Sequence, residues 1–335
     1  MKLADLAKIL GFYGRFTPTY SRTGYWFRRL GWSSSKPDFS GQHWLVTGAS
    51  GGIGAAIVAG AASGGATVIA VARSAEKLEA ARAALPSDAA SRVENMVCDL
   101  SSIASIAQLL ETLRRDGRHI DVLQNNVGVL FNELEVTAEA FEATYVTNLL
   151  GQYQLTEGLL DSDLFGDKPL IVNMASGGLY NVPQNTKLLN VTDPKRYGGK
   201  VAYASHKRGQ VVLSEQWEER LQARGGHSYV LHPGWVRTEG VRKSLPVFYK
   251  IQGVILRSAS EGADTALWLA SQRPQEAGRT IWFDRAARPE HVFPHTVNPQ
   301  CTDAELVEFL QRDLAATIAD SGPDGPEGDE VSTTE

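Results

Sequence analysis

Two stretches decide the fold: Val201-Ala-Tyr-Ala-Ser-His-Lys-Arg208, and, near the start of the chain, Thr47-Gly-Ala-Ser-Gly-Gly-Ile-Gly54. In a helix, the phenol of Tyr203 and the amine of Lys207 fall four residues apart, on one face and one turn from each other. Gly48, Gly52 and Gly54 lie between an apolar run, His43 to Thr47, and an alanine-rich stretch. That is the strand-to-helix setting in which a glycine turn brings backbone N–H groups against a pyrophosphate at a helix N-terminus. The spacing is GxxxGxG, not the GxGxxG of the common dinucleotide fingerprint.

Working outward, short apolar runs alternate with helical patterns from residue 43 to about 285. The expected strands are His43 to Thr47, Thr67 to Val71, Val93 to Cys98, Ile120 to Leu123, Leu170 to Met174, Ser228 to Leu231 and Thr280 to Phe283. They are continuously apolar, as in parallel strands covered on both faces. Segments such as Ile103 to Arg114 and Lys207 to Arg224 carry the helical pattern. The expected fold is α/β, a doubly wound parallel sheet of about seven strands, forming a Rossmann-type domain over 41–320. Residues 1–40 form an N-terminal extension, and the Gly-, Pro- and acid-rich tail 321–335 is expected to be disordered.

Length and composition narrow the function. With 335 residues, 43% of them hydrophobic, the chain holds ample core for one large domain. A net charge of -5 leaves no basic footprint for nucleic acid. Cys98 and Cys301 are far apart, with no CxxC or Cys/His partner, which argues against a disulfide framework or a zinc site, and no metal cluster appears. No window approaches the roughly 18 to 20 apolar residues of a membrane span. Charges at Lys2, Asp5 and Lys8 argue against a secretory signal, so the expected location is cytoplasmic.

The extension mixes aromatics with arginine (Tyr25, Trp26, Phe27, Arg28, Arg29, Trp32). Its favoured reading is an arm packed across the body with its aromatics in a groove. The competing reading is weak peripheral membrane contact through Leu3, Leu6, Ile9 and Leu10 on one helical face.

An NAD enzyme offers an acidic residue to the ribose hydroxyls about twenty residues beyond the first glycine. This chain offers Ala72-Arg73, and a guanidinium suits a 2′-phosphate, so NADP(H) is expected in preference to NAD(H).

With these residues in view, the chain resembles the short-chain dehydrogenases/reductases over roughly residues 43 to 315. The family's TGxxxGxG is Thr47 to Gly54, its Asp-Leu is Asp99-Leu100, and its NNAG is Asn125-Asn-Val-Gly128. Its asparagine is Asn148, its serine Ser176, its YxxxK Tyr203 and Lys207, and its proline-glycine turn Pro233 to Thr238. Lys207 to Leu213, Gly240-Val-Arg and Gly262 to Ala270 look most like a branch that also carries an N-terminal extension.

The resemblance implies a catalytic set of Ser176, Tyr203, Lys207 and Asn148. It implies a cofactor set of Gly48, Ser50, Gly52, Ile53 and Gly54 at the first turn, Arg73, Asp99 and Leu100 around the adenosine, and Asn126 and Gly128 in the NNAG equivalent. Tyr203, Lys207, Pro233, Gly234, Val236 and Thr238 complete it. Two departures stand out. Val127 replaces a small alanine, and Ser176 and Tyr203 are further apart than usual, so Leu179 to Lys200 is expected to form an active-site loop.

The chemistry these residues support is hydride transfer to or from a carbonyl. Tyrosine ordinarily titrates near about 10. A nearby Lys207 and an oxidised nicotinamide would favour the phenolate. Ser176 would hydrogen-bond the substrate oxygen, and Asn148, by the resemblance, would hold a water linking Lys207 to solvent. His206 and His232 read as packing residues. Pro246 to Leu256 is expected to form a lid, and Leu245, Val247, Phe248, Tyr249 and Ile251 suggest an apolar pocket wall for a hydrophobic alcohol or ketone. A homo-oligomer is a further partner expectation. The alternative function is a catalytically silent nucleotide-binding or membrane-associated scaffold of the same fold; an epimerase or dehydratase is disfavoured because the long nucleotide-sugar domain is missing.

Overall fold

A computed structural model describes residues 14–33 and 36–320. Its centre is one eight-stranded sheet in the order β3-β2-β1-β4-β5-β6-β7-β8. The strands are β1 (His43–Thr47), β2 (Thr67–Ala72), β3 (Val93–Val97), β4 (Ile120–Asn125), β5 (Phe165–Met174), β6 (His227–Leu231), β7 (Ile281–Phe283) and β8 (Ala286–Arg288). The first seven pair in parallel and match the seven expected runs to within a few residues. The eighth, antiparallel to β7, was not expected: Ala-Ala-Arg carries no apolar run, and the tight turn at Asp284 and Arg285 creates it.

Because strand side chains alternate between faces, apolar strands fill two cores at once. Leu45, Leu123 and Ile171 face one core, closed by α4 (Ile103–Arg115), α5 (Gly151–Asp161), α6 (Gly199–Gln222) and α10 (Asp303–Asp320). Val46, Val122 and Val172 face the other, closed by α2 (Gly52–Ser63) and α9 (Ala259–Gln272). Local signals start these helices. Ser102 caps α4 by accepting from the Ser105 N–H, and Ser258 with Glu261 forms a capping box at α9. The remaining helices used below are α1 (Arg22–Arg29), α3 (Ala75–Ala83), α7 (Glu239–Ser244) and α8 (Pro246–Gln252).

The expected arm across the body is observed for the described part of the extension. Residues 14–20 are helical, Ser21 caps α1, and Phe16, Tyr20 and Tyr25 are buried. Tyr20 fills a groove between His232, Trp235 and Phe283. The reading based on Leu3, Leu6, Ile9 and Leu10, and the expectation for the tail 321–335, lie outside the described residues. Among the described residues, no helix is long and apolar enough to cross a membrane, and no group of His, Cys, Asp or Glu is placed to hold a metal. Cys98 and Cys301 are free thiols.

Candidate active site

In an open parallel sheet, ligands bind beyond the carboxyl ends of the strands where the order reverses. Here that point lies between β1 and β4, which end in Thr47 and Asn125. The Thr47 hydroxyl joins the two strand ends: it donates to the Gln124 carbonyl (3.1 Å) and accepts from the N–H groups of Asn126 (3.0 Å) and Val127 (3.2 Å). The Asn126 side-chain amide donates to the Thr47 carbonyl (2.8 Å). These bonds hold the Gly48 turn against Val127.

The packing of the glycine turn fits a dinucleotide. A Cβ at Gly54 would overlap the Gly48 carbonyl, so no larger residue lets the helix start so close to the strand. Gly51, before α2, supplies no side-chain cap, which leaves the first N–H groups of α2 free to donate to an anion. Thr238 stands over that end, since a Cβ at Gly52 would lie 3.2 Å from its methyl. Arg73 is exposed just past the end of β2, and Ala72 is buried. Ser50, Gly128 and Pro233 line the same end of the sheet from their loops, whereas Leu100 turns into the core and Val236 packs with Ile53 against Gly262. The Asp99 carboxylate accepts from the Ser101 N–H (2.9 Å) and hydroxyl (2.7 Å).

Tyr203 and Lys207 sit on one face of α6, as the spacing requires. Lys207 is 1% exposed; its Nζ donates to the Met174 carbonyl at the end of β5 (2.8 Å) and lies 5.7 Å from the Tyr203 ring centre. Burial pushes the Lys207 amine down to about 7. Tyr203 is half-buried, and burial raises its phenol above the usual value, opposed by a hydrogen bond with Ser176. The Ser176 oxygen accepts from the Gly178 N–H (3.2 Å). A Cβ at Gly178 would lie 3.6 Å from that oxygen and 3.7 Å from the Tyr203 ring. Gly128 reaches the same spot: a Cβ there would lie 3.1 Å from Lys207 Nζ.

Asn148 lies in a π-helical turn, Val146–Leu150, ahead of α5. Its amide clamps the backbone of Val129, accepting from the N–H (2.8 Å) and donating to the carbonyl (2.7 Å). Its own carbonyl accepts from Gln210 Nε2 (3.4 Å). Single π turns are frequent at functional sites, where one extra residue re-aims the groups around it. His206 and His232 pack, as expected: His206 Nε2 meets the Leu189 carbonyl (2.7 Å), and His232 stacks on Phe283. Burial pushes both imidazoles down, His206 to about 4.

The insert between Ser176 and Tyr203 is tied down. The Tyr180 hydroxyl donates to the Pro289 carbonyl (3.3 Å), Gln184 to Asp303 (2.9 Å), and Tyr197 to the Phe131 carbonyl (3.0 Å). Of the expected pocket wall after Thr238, Phe248 turns inward, edge-on to Trp235 with ring centres 5.1 Å apart. Val247 and Ile251 turn outward and do not line a pocket, because they fall on the opposite face of α8. Ser244, at the end of α7, donates to the Leu130 carbonyl (2.6 Å) and closes this segment onto the β4 loop.

Sequence reasoning missed a buried node beside the site. Arg257 donates to the carbonyls of Tyr20 (2.9 Å), Thr19 (3.1 Å) and Pro233 (3.2 Å), so one guanidinium holds the arm and the proline-glycine turn together. It also missed Glu142, buried 3.7 Å from His206 and accepting from Thr144; burial raises its carboxyl to about 8. An arginine closing the apolar run Val254-Ile-Leu was a signal for the first; an isolated glutamate offered none.

Comparison with known proteins points to one family. The family model for short chain dehydrogenases matches residues 42–187. Dehydrogenase/reductase SDR family member 12 of Bos taurus is 32% identical over 85% of this chain and 93% of its own length. Retinol dehydrogenase 12 of Homo sapiens is 32% identical over 68% of this chain and 72% of its own. A crystal structure from Mycobacterium paratuberculosis, 24% identical, superposes with a TM-score of 0.67 over 85% of this chain and 98% of that one, a likeness of fold.

Proposed function

The chain belongs to the short-chain dehydrogenase/reductase family of oxidoreductases, and from that premise we propose that it is an NADP(H)-dependent enzyme interconverting a hydrophobic alcohol and its carbonyl. The observation that carries the reading is the convergence of Ser176, Tyr203 and Lys207 on the space beside Gly128 and Gly178. A silent scaffold would have no need of that set.

When bound, the nicotinamide supplies or accepts the hydride. The α2 N-terminus, Gly52, Gly54 and Thr238 would hold the pyrophosphate, and Arg73 would meet the 2′-phosphate. Ser176 donates to the substrate oxygen and fixes it against the phenol. Tyr203 gives its proton to that oxygen during reduction and takes it back during oxidation. Lys207, anchored by the Met174 carbonyl, presents its positive charge to the phenolate when protonated and so lowers the cost of ionising Tyr203. Asn148 holds Val129 in place, and a water at its carbonyl would connect Lys207 to solvent. Trp235 and Phe248 supply an apolar wall, which suits the kind of substrate implied by a relative named as a retinol dehydrogenase. The two free thiols suit a reducing, cytoplasmic setting.

The test is a screen of hydrophobic ketones and aldehydes with NADPH, followed at the nicotinamide absorbance. Turnover that vanishes in Tyr203→Phe is expected. Tight NADPH binding with no turnover on any carbonyl or alcohol would favour the scaffold.

A further inference from the structure

We propose that α1 and α8 together form a docking surface for an anionic lipid bilayer, at the mouth of the active site. The two helices belong to adjoining segments: the Arg22 N–H donates to the Ile255 carbonyl (2.8 Å), and the Trp235 N–H to the Tyr20 carbonyl (3.0 Å). Both expose large apolar side chains in helical register. On α1 and its C-cap these are Trp26, Phe27 (73% exposed) and Leu30; on α8 and the turn after it they are Val247, Ile251 and Val254 (91%). Val247, Ile251 and Val254 fall at i, i+4 and i+7, one face, while Phe248 points the other way into Trp235. Single exposed apolar residues need no explanation, but two adjoining clusters of this size do.

Charge selects the occupant. In a chain of net charge -5, residues 14–33 contain Arg15, Arg22, Arg28 and Arg29 and no acidic residue. Residues 240–258 contain Arg242, Lys243, Lys250 and Arg257 and again none. Some of these pair internally: Arg28 and Arg257 share Asp284, Arg22 meets Glu261, and Arg242 and Lys243 share Glu239. Arg29 and Lys250 are exposed and pair with no carboxylate among the described residues. Apolar side chains bordered by unneutralised cations match the boundary between headgroups and acyl chains of a negatively charged leaflet. A second copy of this chain would bring like charge against like. Phe248 lies on the inward face of the same helix, so a substrate dissolved in lipid would reach the pocket at the edge of this surface. That route rests on the hydrophobic substrate proposed above; the docking itself does not.

The experiment is co-sedimentation of the full chain with phosphatidylcholine vesicles, with and without phosphatidylserine. The intact protein is expected to sediment with the anionic vesicles and to be released by salt. Replacing Phe27, Ile251 and Val254 together by serine should weaken binding by roughly a hundredfold or more, since three large apolar side chains no longer enter the bilayer. Arg29→Gln with Lys250→Gln should weaken it about fivefold per charge, on anionic vesicles only. NADPH affinity, measured on every variant, reports folding and is expected to stay unchanged. Unchanged sedimentation of both variants would overturn the proposal. So would a stable dimer that binds no vesicles and is dissolved by the serine substitutions. Vesicle binding is read without turnover, so the docking and the proposed reaction can fail separately.

Discussion

Arg257 and Asp284 meet through two parallel bonds of 2.6 and 2.9 Å, and both side chains are 1% exposed. The carboxylate also accepts from Arg28 Nε (2.6 Å), so it answers two guanidinium groups, one of them carried by the arm. Taking one partner from such a buried cluster leaves charge with neither water nor counter-ion. Asp284→Asn should cost about 3 to 5 kcal/mol, read as a lower midpoint in denaturant. Glu79→Gln, which breaks an exposed pair with Arg82, should leave the midpoint where it is. Equal midpoints for Asp284→Asn and the unmutated protein would remove the node from any role in stability.

Tyr203→Phe keeps the ring and removes the proton. Turnover should fall by roughly 10² to 10⁴, with NADPH affinity held within a few-fold. Retention of more than about a tenth of the rate would show that another group is the principal acid.

Cofactor choice should follow Arg73. Arg73→Asp is expected to reverse a preference for NADPH over NADH, because a carboxylate accepts from ribose hydroxyls and repels a phosphate. Isothermal titration giving equal affinities in the unmutated protein would refute this basis for choice.

Phe248→Ala should raise KM for bulky ketones by one to two orders, about 1.5 to 3 kcal/mol for a buried aromatic, and spare NADPH. Kinetics unchanged across the substrate series would place Phe248 outside the pocket.

Burial pushes the Glu142 carboxyl up from its ordinary 4.5 to about 8. The folded state therefore keeps a proton that the unfolded chain releases, and this group's contribution to stability falls as pH rises from 4.5 through about 8. Glu142→Gln should flatten that part of the profile, with the larger gain in melting temperature on the alkaline side. A gain of the same size at both ends would mean that the carboxyl does not ionise there.

What was legible in the sequence was whatever depends on neighbours along the chain. β1 begins and ends where its apolar run does, and Tyr203 and Lys207 share a face because a helix turns once in about four residues. β5 starts earlier than expected, at Phe165: Gly-Asp-Lys-Pro interrupts its apolar pattern and shifts the register, but Phe165 still pairs with Ile120 of β4 ahead of the irregularity. What tertiary contact decides could not be read. Tyr25 is buried and Phe27 exposed, although both lie in the same aromatic run; Tyr25 lies beside the Arg257 guanidinium, far away in sequence. The same distance hid Asp284, a single acid in a turn between two short strands.

The π turn at Val146–Leu150 is in effect one residue of slack wound into a helix. A helix advances about 100° per residue, so removing that residue would swing everything before it by about that angle relative to α5. Tyr145 would leave the core, and Glu142 would part from His206. The amide of Asn148 would swing off Val129. In a chain of this family a one-residue deletion here should therefore do more harm than most substitutions, because the helix would survive as a helix while pointing its side chains at the wrong neighbours.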